Sequence, residues 1–193
     1  MRSLLLALLL LAPAAALAQQ APREVNLTSD SAPGWLPSPA LEQAVLRATQ
    51  DYFDALEAGD PARAYAMLTP ERHRQTMLST FFEQSRRQRD AAGALRDRRI
   101  LRLTWTKDPA NAPLPGIYAA IDVASRHARV DRECGYLIWH QRSDGGPFKL
   151  MRIESNRIDN ATADSIVGQK GQPELDRIWA QLSANCPNYA PAP

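Results

Sequence analysis

Lysine is scarce in this sequence: only Lys107, Lys149 and Lys170 stand beside a large set of arginines. We read that bias as genome composition rather than function. With a formal net charge of +2 and 23% charged residues, the balance makes no demand for nucleic acid. Cysteine is nearly absent as well. Cys134 and Cys186 are the only two, and neither has a Cys or His neighbour at ligand spacing. The three histidines, His73, His127 and His140, are scattered, so nothing points to a metal site. Also missing are a P-loop, a Gly-rich dinucleotide turn, a nucleophile elbow and a Ser-x-x-Lys motif. No cofactor is implied, and no catalytic motif stands out. Beyond the first eighteen residues no apolar run approaches the roughly 20 residues that cross a bilayer.

What is present begins with those eighteen residues. Arg2 gives a positive start, Leu4 to Leu11 is apolar, and Pro13 breaks the run. Ala16-Leu17-Ala18 then fits the small-x-small rule of signal peptidase, so residues 1–18 read as a signal peptide cut after Ala18. The run is too short for an anchor, and no cysteine follows it to carry a lipid. The expectation is a soluble protein of the periplasm or the medium, not a lipoprotein. In such an oxidising space the two cysteines are most simply one disulfide, with two free thiols as the alternative. The bridge would close a loop of about fifty residues, worth about 4 kcal/mol on a chain-entropy view.

Residues 19–39 read as a flexible linker, with Pro22, Pro33, Gly34, Pro37 and Pro39 among polar residues. Residues 40–187 read as one α+β domain, and 188–193 as a disordered tail. Three helix starts share one grammar, a capping side chain followed by proline: Ser38-Pro39, Asp60-Pro61 and Thr69-Pro70. The first helix carries Leu41, Val45, Ala48, Tyr52 and Leu56 at helical spacing, the second Ala64, Tyr65 and Leu68, and the third Met77, Phe81 and Phe82. After Gly93 the period becomes two. Strands are expected at Ile100 to Lys107, with Leu101, Leu103 and Trp105 on one face, at Ile117 to Val123, at Glu133 to Arg142 and at Phe148 to Ile153. The Asp144-Gly145-Gly146-Pro147 stretch makes the last hairpin. A short helix after Pro173 carries Leu175, Ile178, Trp179 and Leu182. Helices followed by turn-linked strands predict an antiparallel sheet of about four strands.

The stretch Tyr52 to Tyr65, a helix end, a Gly59-Asp60 turn and a second helix with an aromatic, resembles the opening of the NTF2-like superfamily. The later Asp144-Gly145-Gly146-Pro147-Phe148-Lys149-Leu150 is similar to that superfamily's last hairpin, with Phe148 where tryptophan is usual. With the signal peptide and Arg98-Arg99-Ile100-Leu101, the chain looks like a group of small exported bacterial proteins of uncharacterised function. The resemblance covers about Leu41 to Ile158. It implies a conical domain whose curved sheet wraps the N-terminal helices, often a dimer through the sheet, and leaves the C-terminal helix outside the shared pattern.

NTF2-like enzymes hold an acid or a histidine inside the cone, where an apolar pocket tunes its pKa. His140, beside Trp139 in the third expected strand, is the best candidate here, against a structural role. Asp122 falls opposite the Ile117/Ile121/Val123 face, on a solvated or cross-strand position. Asp51 and Asp54 lie off the apolar stripe of the first helix, and His73 and His127 read as exposed. The nine arginines between Arg72 and Arg102 fit either a strip for anionic polymers or lipid head groups, or a solvated face with interspersed acids. Two functional readings follow. One is a non-catalytic binding or assembly module of the cell envelope, taking a small apolar ligand or an envelope partner. The other is an isomerase- or dehydratase-type enzyme using His140 or a carboxylate.

Overall fold

The local grammar of the helix starts is realised at the atomic level in the computed structural model of the protein, which describes residues 24–183 and Cys186. The backbone N–H groups of Leu41, Arg63 and Arg72 donate to the side chains of Ser38 (3.2 Å), Asp60 (3.1 Å) and Thr69 (3.4 Å). Each cap is followed by a proline that needs no donor partner. These starts open α1 (Pro39–Glu57), α2 (Pro61–Ala66) and α3 (Pro70–Gln75). The chain turns between α1 and α2 at Gly59, whose φ of +73° favours glycine. Residues 1–18, read from the sequence as a signal peptide, and residues 188–193, read as a tail, lie outside the described residues.

The third expected helix is two. α3 stops at Gln75, Thr76 is extended, and α4 (Leu78–Ala92) starts afresh behind Met77. The Tyr65 hydroxyl donates to the Thr76 carbonyl at 2.8 Å, engaging at the break a group that a continuous helix would bond internally. Met77 therefore sits at a corner in solvent instead of on a buried stripe.

The strands are β1 (Glu24–Leu27), β2 (Leu95–Lys107), β3 (Gly116–His127), β4 (Val130–Arg142) and β5 (Gly145–Asp159). They form one mixed sheet in the order β1-β2-β3-β4-β5, parallel between β1 and β2 and antiparallel elsewhere. Among the described residues there are thus five strands, not four. The extra one comes from the segment read as a linker: Val25 lies opposite Leu103, and beyond β1 the Thr28 and Ala32 amides donate to the Trp105 and Lys107 carbonyls at 3.0 and 2.8 Å. A four-residue strand between proline-rich stretches carries almost no periodic signal, and its partner is far away in sequence.

Register decides which side chains face the first helix. Leu103, Trp105, Ala119, Ile121, Leu137, Trp139, Phe148 and Leu150 form a buried layer with Val45, Leu46, Tyr52 and Ala55 of α1. Leu101 does not join them. A β-bulge shifts the β2–β3 register between Ile100 and Arg102, which breaks the two-residue alternation. Leu101 instead packs in a second cluster with Ala124, Cys134 and Ile158.

The other half of that cluster comes from two C-terminal helices, where one was expected. α5 (Asn160–Lys170) starts directly at the end of β5, and α6 (Gln172–Leu182) follows a turn at Gly171. Asp159 caps α5, accepting from the Thr162 backbone N–H at 2.8 Å and its hydroxyl at 2.9 Å. α5 has little apolar periodicity, with Ala163 its one buried residue, which is why the sequence pattern missed it. Ala163, Leu175 and Trp179 cover Leu101, Ala124 and Ile158. Cys134 and Cys186 are paired at disulfide distance, with Cα atoms 6.2 Å apart. The chain beyond α6 is thereby held to β4.

Candidate functional site

The face of β4 turned away from α1 holds His140, the leading candidate from sequence. Its ring is buried and its Nε2–H donates to the Pro115 carbonyl at 3.0 Å. The Tyr118 ring, from the residue opposite on β3, lies tilted against it with centroids 4.8 Å apart. The ring is thus engaged by a backbone oxygen and an aromatic neighbour, and it sits outside the layer beneath α1.

Asp122 lies on the same outer face and is buried in a cross-strand ion pair. Arg102 Nε donates to its Oδ2 at 2.8 Å. Burial pushes the Asp122 carboxyl above its usual range, and the Arg102 guanidinium opposes that shift. Asp51 and Asp54 are exposed, the first paired with Arg63 at 2.8 Å and the second accepting from Gln50 at 2.7 Å. His73 is half-buried, not exposed: its Nε2–H donates to the Tyr65 carbonyl at 2.8 Å and its ring stacks on Tyr65 at 4.4 Å. It clamps α3 against α2.

His127 is the larger surprise. Read as an exposed connection, it is largely buried at the end of β3, because that strand runs four residues past Val123. A polar row crosses the sheet beside it: Arg98, Ser125, Glu133 and Arg157 are successive cross-strand partners on β2, β3, β4 and β5. Arg98 reaches to the end of α1, where it pairs with Glu57 and lies 3.8 Å over the Phe53 ring, while its Nε donates to Ser125 at 3.2 Å. His127 Nδ1 lies 3.4 Å from a Glu133 carboxylate oxygen. Burial lowers the His127 pKa first, Glu133 opposes it, and Arg98, Glu57 and Arg157 then act with alternating sign. Two carboxylates are matched by two guanidinium groups around a neutral imidazole. The arrangement neutralises itself, which suits a fastening better than a charged-ligand site. A periodicity signal existed for it, since Ser125 and His127 share parity with Val123.

Beneath α1 the interior is apolar and occupied. Tyr52 is buried there, its hydroxyl pKa raised to about 12 by desolvation against the opposing charge of Arg72. Its ring meets Trp139 edge-on at 6.3 Å, and Trp105 meets Phe148 at 6.1 Å. The Trp105 and Trp139 indole N–H groups are buried without a partner. A shallow cleft of about 310 Å³ lies elsewhere, on the outer face between β4, β5 and the end of α6, beside Cys134 and Cys186. Among the described residues no group of three or more His, Cys, Asp or Glu side chains is arranged to hold a metal ion.

Residues 48–150 match the family DUF4019, whose description is a protein of unknown function. The chain belongs to this family. No curated protein and no solved structure matches it. The DUF4019 match spans the second half of α1, α2 to α4 and the strands from β2 into β5, and so includes Glu57, Arg98, His127, Glu133 and His140. It leaves out β1, α5, α6 and Cys186, so the outer closure of the sheet is built from residues beyond the DUF4019 match.

Proposed function

We propose that this DUF4019 chain is an exported protein of the bacterial cell envelope that serves as a non-catalytic binding or assembly module on an NTF2-like fold. The observation that carries the non-catalytic part is the filled layer beneath α1. Val45, Leu46, Tyr52, Trp105, Trp139, Phe148 and Leu150 occupy the space in which an enzyme of that superfamily would keep a base and its substrate. Support for the fold comes from the long first helix against one face of a bulged sheet and from the helix-then-strand order. Support for export comes from the N-terminal pattern and from the cysteine pair, which suits an oxidising compartment. No described helix is long and apolar enough to cross a membrane.

A second reading, an isomerase- or dehydratase-type enzyme, draws on one observation, the approach of His127 to Glu133. The ion-paired surroundings of that histidine weigh against it.

The test is to express the full chain, fractionate the cells and sequence the N-terminus of the recovered protein. The expected product starts at Gln19, leaves the cytoplasm and yields no free thiol when denatured without reductant. Native mass spectrometry should then give the polypeptide, or a multiple of it, with nothing bound. A small molecule retained in stoichiometric amount and consumed by the protein would sink the non-catalytic reading. An intact leader on cytoplasmic protein would sink export.

A further inference from the structure

The corner between α3 and α4 carries the most exposed group of apolar side chains within the helical region. Met77 is 71% exposed, Leu78 45% and Phe82 38%. Their neighbour Phe81 turns inward to Tyr65, with ring centroids 5.4 Å apart, so the other three are outside by geometry and not for want of a core. Leu78, Phe82 and Arg86 follow one another at four-residue spacing and share one face of α4.

The charges around this tip are not balanced. From Pro70 to Ala92 five arginines stand against Glu71, Glu83 and Asp90. Three of the five are ion-paired at the surface: Arg74 with Glu71 at 3.0 Å, Arg87 with Glu83 at 3.3 Å and Arg89 with Asp90 at 3.8 Å. Exposed pairs of this kind are weakly held and exchange readily for another anion. Arg86, one turn beyond Phe82, is exposed and has no carboxylate partner among the described residues.

An apolar tip with a cationic collar has the composition of a segment that rests in a membrane interface. The apolar side chains enter the boundary between head groups and acyl chains, and the arginines meet anionic head groups. We propose that the α3–α4 corner is a docking surface for an anionic lipid surface, with Met77, Leu78 and Phe82 inserted and Arg74, Arg86 and Arg87 on the head groups. A second copy of the chain fits less well, because a two-fold contact would set this arginine-rich patch against itself. A hydrated anionic polymer would take the arginines but leave the apolar tip in water. The proposal rests on the export argued above, since it names what the envelope module binds.

The experiment uses protein expressed full-length and recovered from the periplasmic fraction, its N-terminus confirmed by sequencing. It is floated with phosphatidylglycerol-containing vesicles and with pure phosphatidylcholine vesicles, at low and high salt. The expected result is flotation with the anionic vesicles at low salt and loss of it at high salt. Arg86→Glu removes one positive charge and adds a negative one, so it should lower partitioning by roughly thirtyfold, at about fivefold for each unit of charge near an anionic surface. The pair Met77→Asp and Phe82→Asp should abolish it. All three positions are exposed, so unfolding midpoints should be unchanged, and Arg86→Glu alone still decides the matter if the double variant folds poorly. Absence of flotation from periplasmic protein would overturn the docking surface while leaving export intact. So would flotation equal in wild type and Arg86→Glu, or a dimer in light scattering that Phe82→Asp dissolves without any vesicle binding. Failure to leave the cytoplasm would instead overturn the reading on which the proposal stands.

Discussion

On the side facing α1 the sheet is closed by volume. Two tryptophans, a tyrosine, a phenylalanine and a run of leucines fill one continuous layer. On the side facing α5 and α6 the cluster is smaller, and covalent and ionic fastenings supplement it: Cys134 with Cys186, and the buried Arg132 reaching Asp176 on α6 at 3.1 Å and Asp131 at 2.5 Å. The contrast follows from local composition. α1 offers a broad apolar stripe of nineteen residues' length, whereas α5 buries one alanine and α6 buries Leu175 and Trp179. Where a helix cannot supply enough apolar area, holding it to the sheet needs a partner that does not scale with area, and a cross-link or a buried guanidinium serves.

The largest effect should come from breaking the α1 side. Trp139→Ala removes a wholly buried indole that touches Tyr52, and urea unfolding should show a loss of about 3–5 kcal/mol. A loss under about 1 kcal/mol would mean that volume does not govern this face. Next in size is the outer fastening. Replacing Cys134 and Cys186 by serine should cost up to about 4 kcal/mol, and amide exchange should rise first in α6 while β2 and β3 stay protected. Uniform loss of protection would show that the two faces do not open separately.

The smallest effect concerns the polar row beside the end of α1. The folded His127 has a pKa below its unfolded one, since burial disfavours the imidazolium. The neutral form that the fold prefers is fully present above the ordinary histidine range, about pH 6.5, and stability is lost as pH falls from there through the folded pKa. His127→Gln should therefore be more acid-tolerant than wild type across that window, by unfolding midpoints taken at several pH values. An unchanged pH profile would remove His127 from the account.

Much of this molecule could be read from the chain alone where the deciding forces are local. Ser38, Asp60 and Thr69 cap the helices predicted from them because a cap and its proline act within four residues. The four longer strands were legible from alternation, although each runs further than the pattern reached: β5 begins at Gly145 and ends at Asp159, beyond both ends of the expected Phe148 to Ile153. Their outer residues are mostly polar, so alternation faded there while pairing with the neighbouring strand continued. The candidate site was legible only in part. His140 was placed in its strand, but as a candidate for the inside of the cone, whereas the fold turns it to the face away from α1. The group around His127 was not foreseen, since Glu57, Arg98, Glu133 and Arg157 come from four different elements.

By itself, then, the sequence determined the α+β class, the helix starts, the turns and the pairing partners available to two cysteines, all set by neighbours within a few residues or by composition. Tertiary structure decided the rest. It recruited Glu24–Leu27 as a fifth strand, moved Leu101 to the opposite face through one bulged residue, and enclosed His127 among charges drawn from α1, β2, β4 and β5. Each of those outcomes depends on which strand lies beside which, and in what register. That is a property of the assembled sheet, which no stretch of the chain carries on its own.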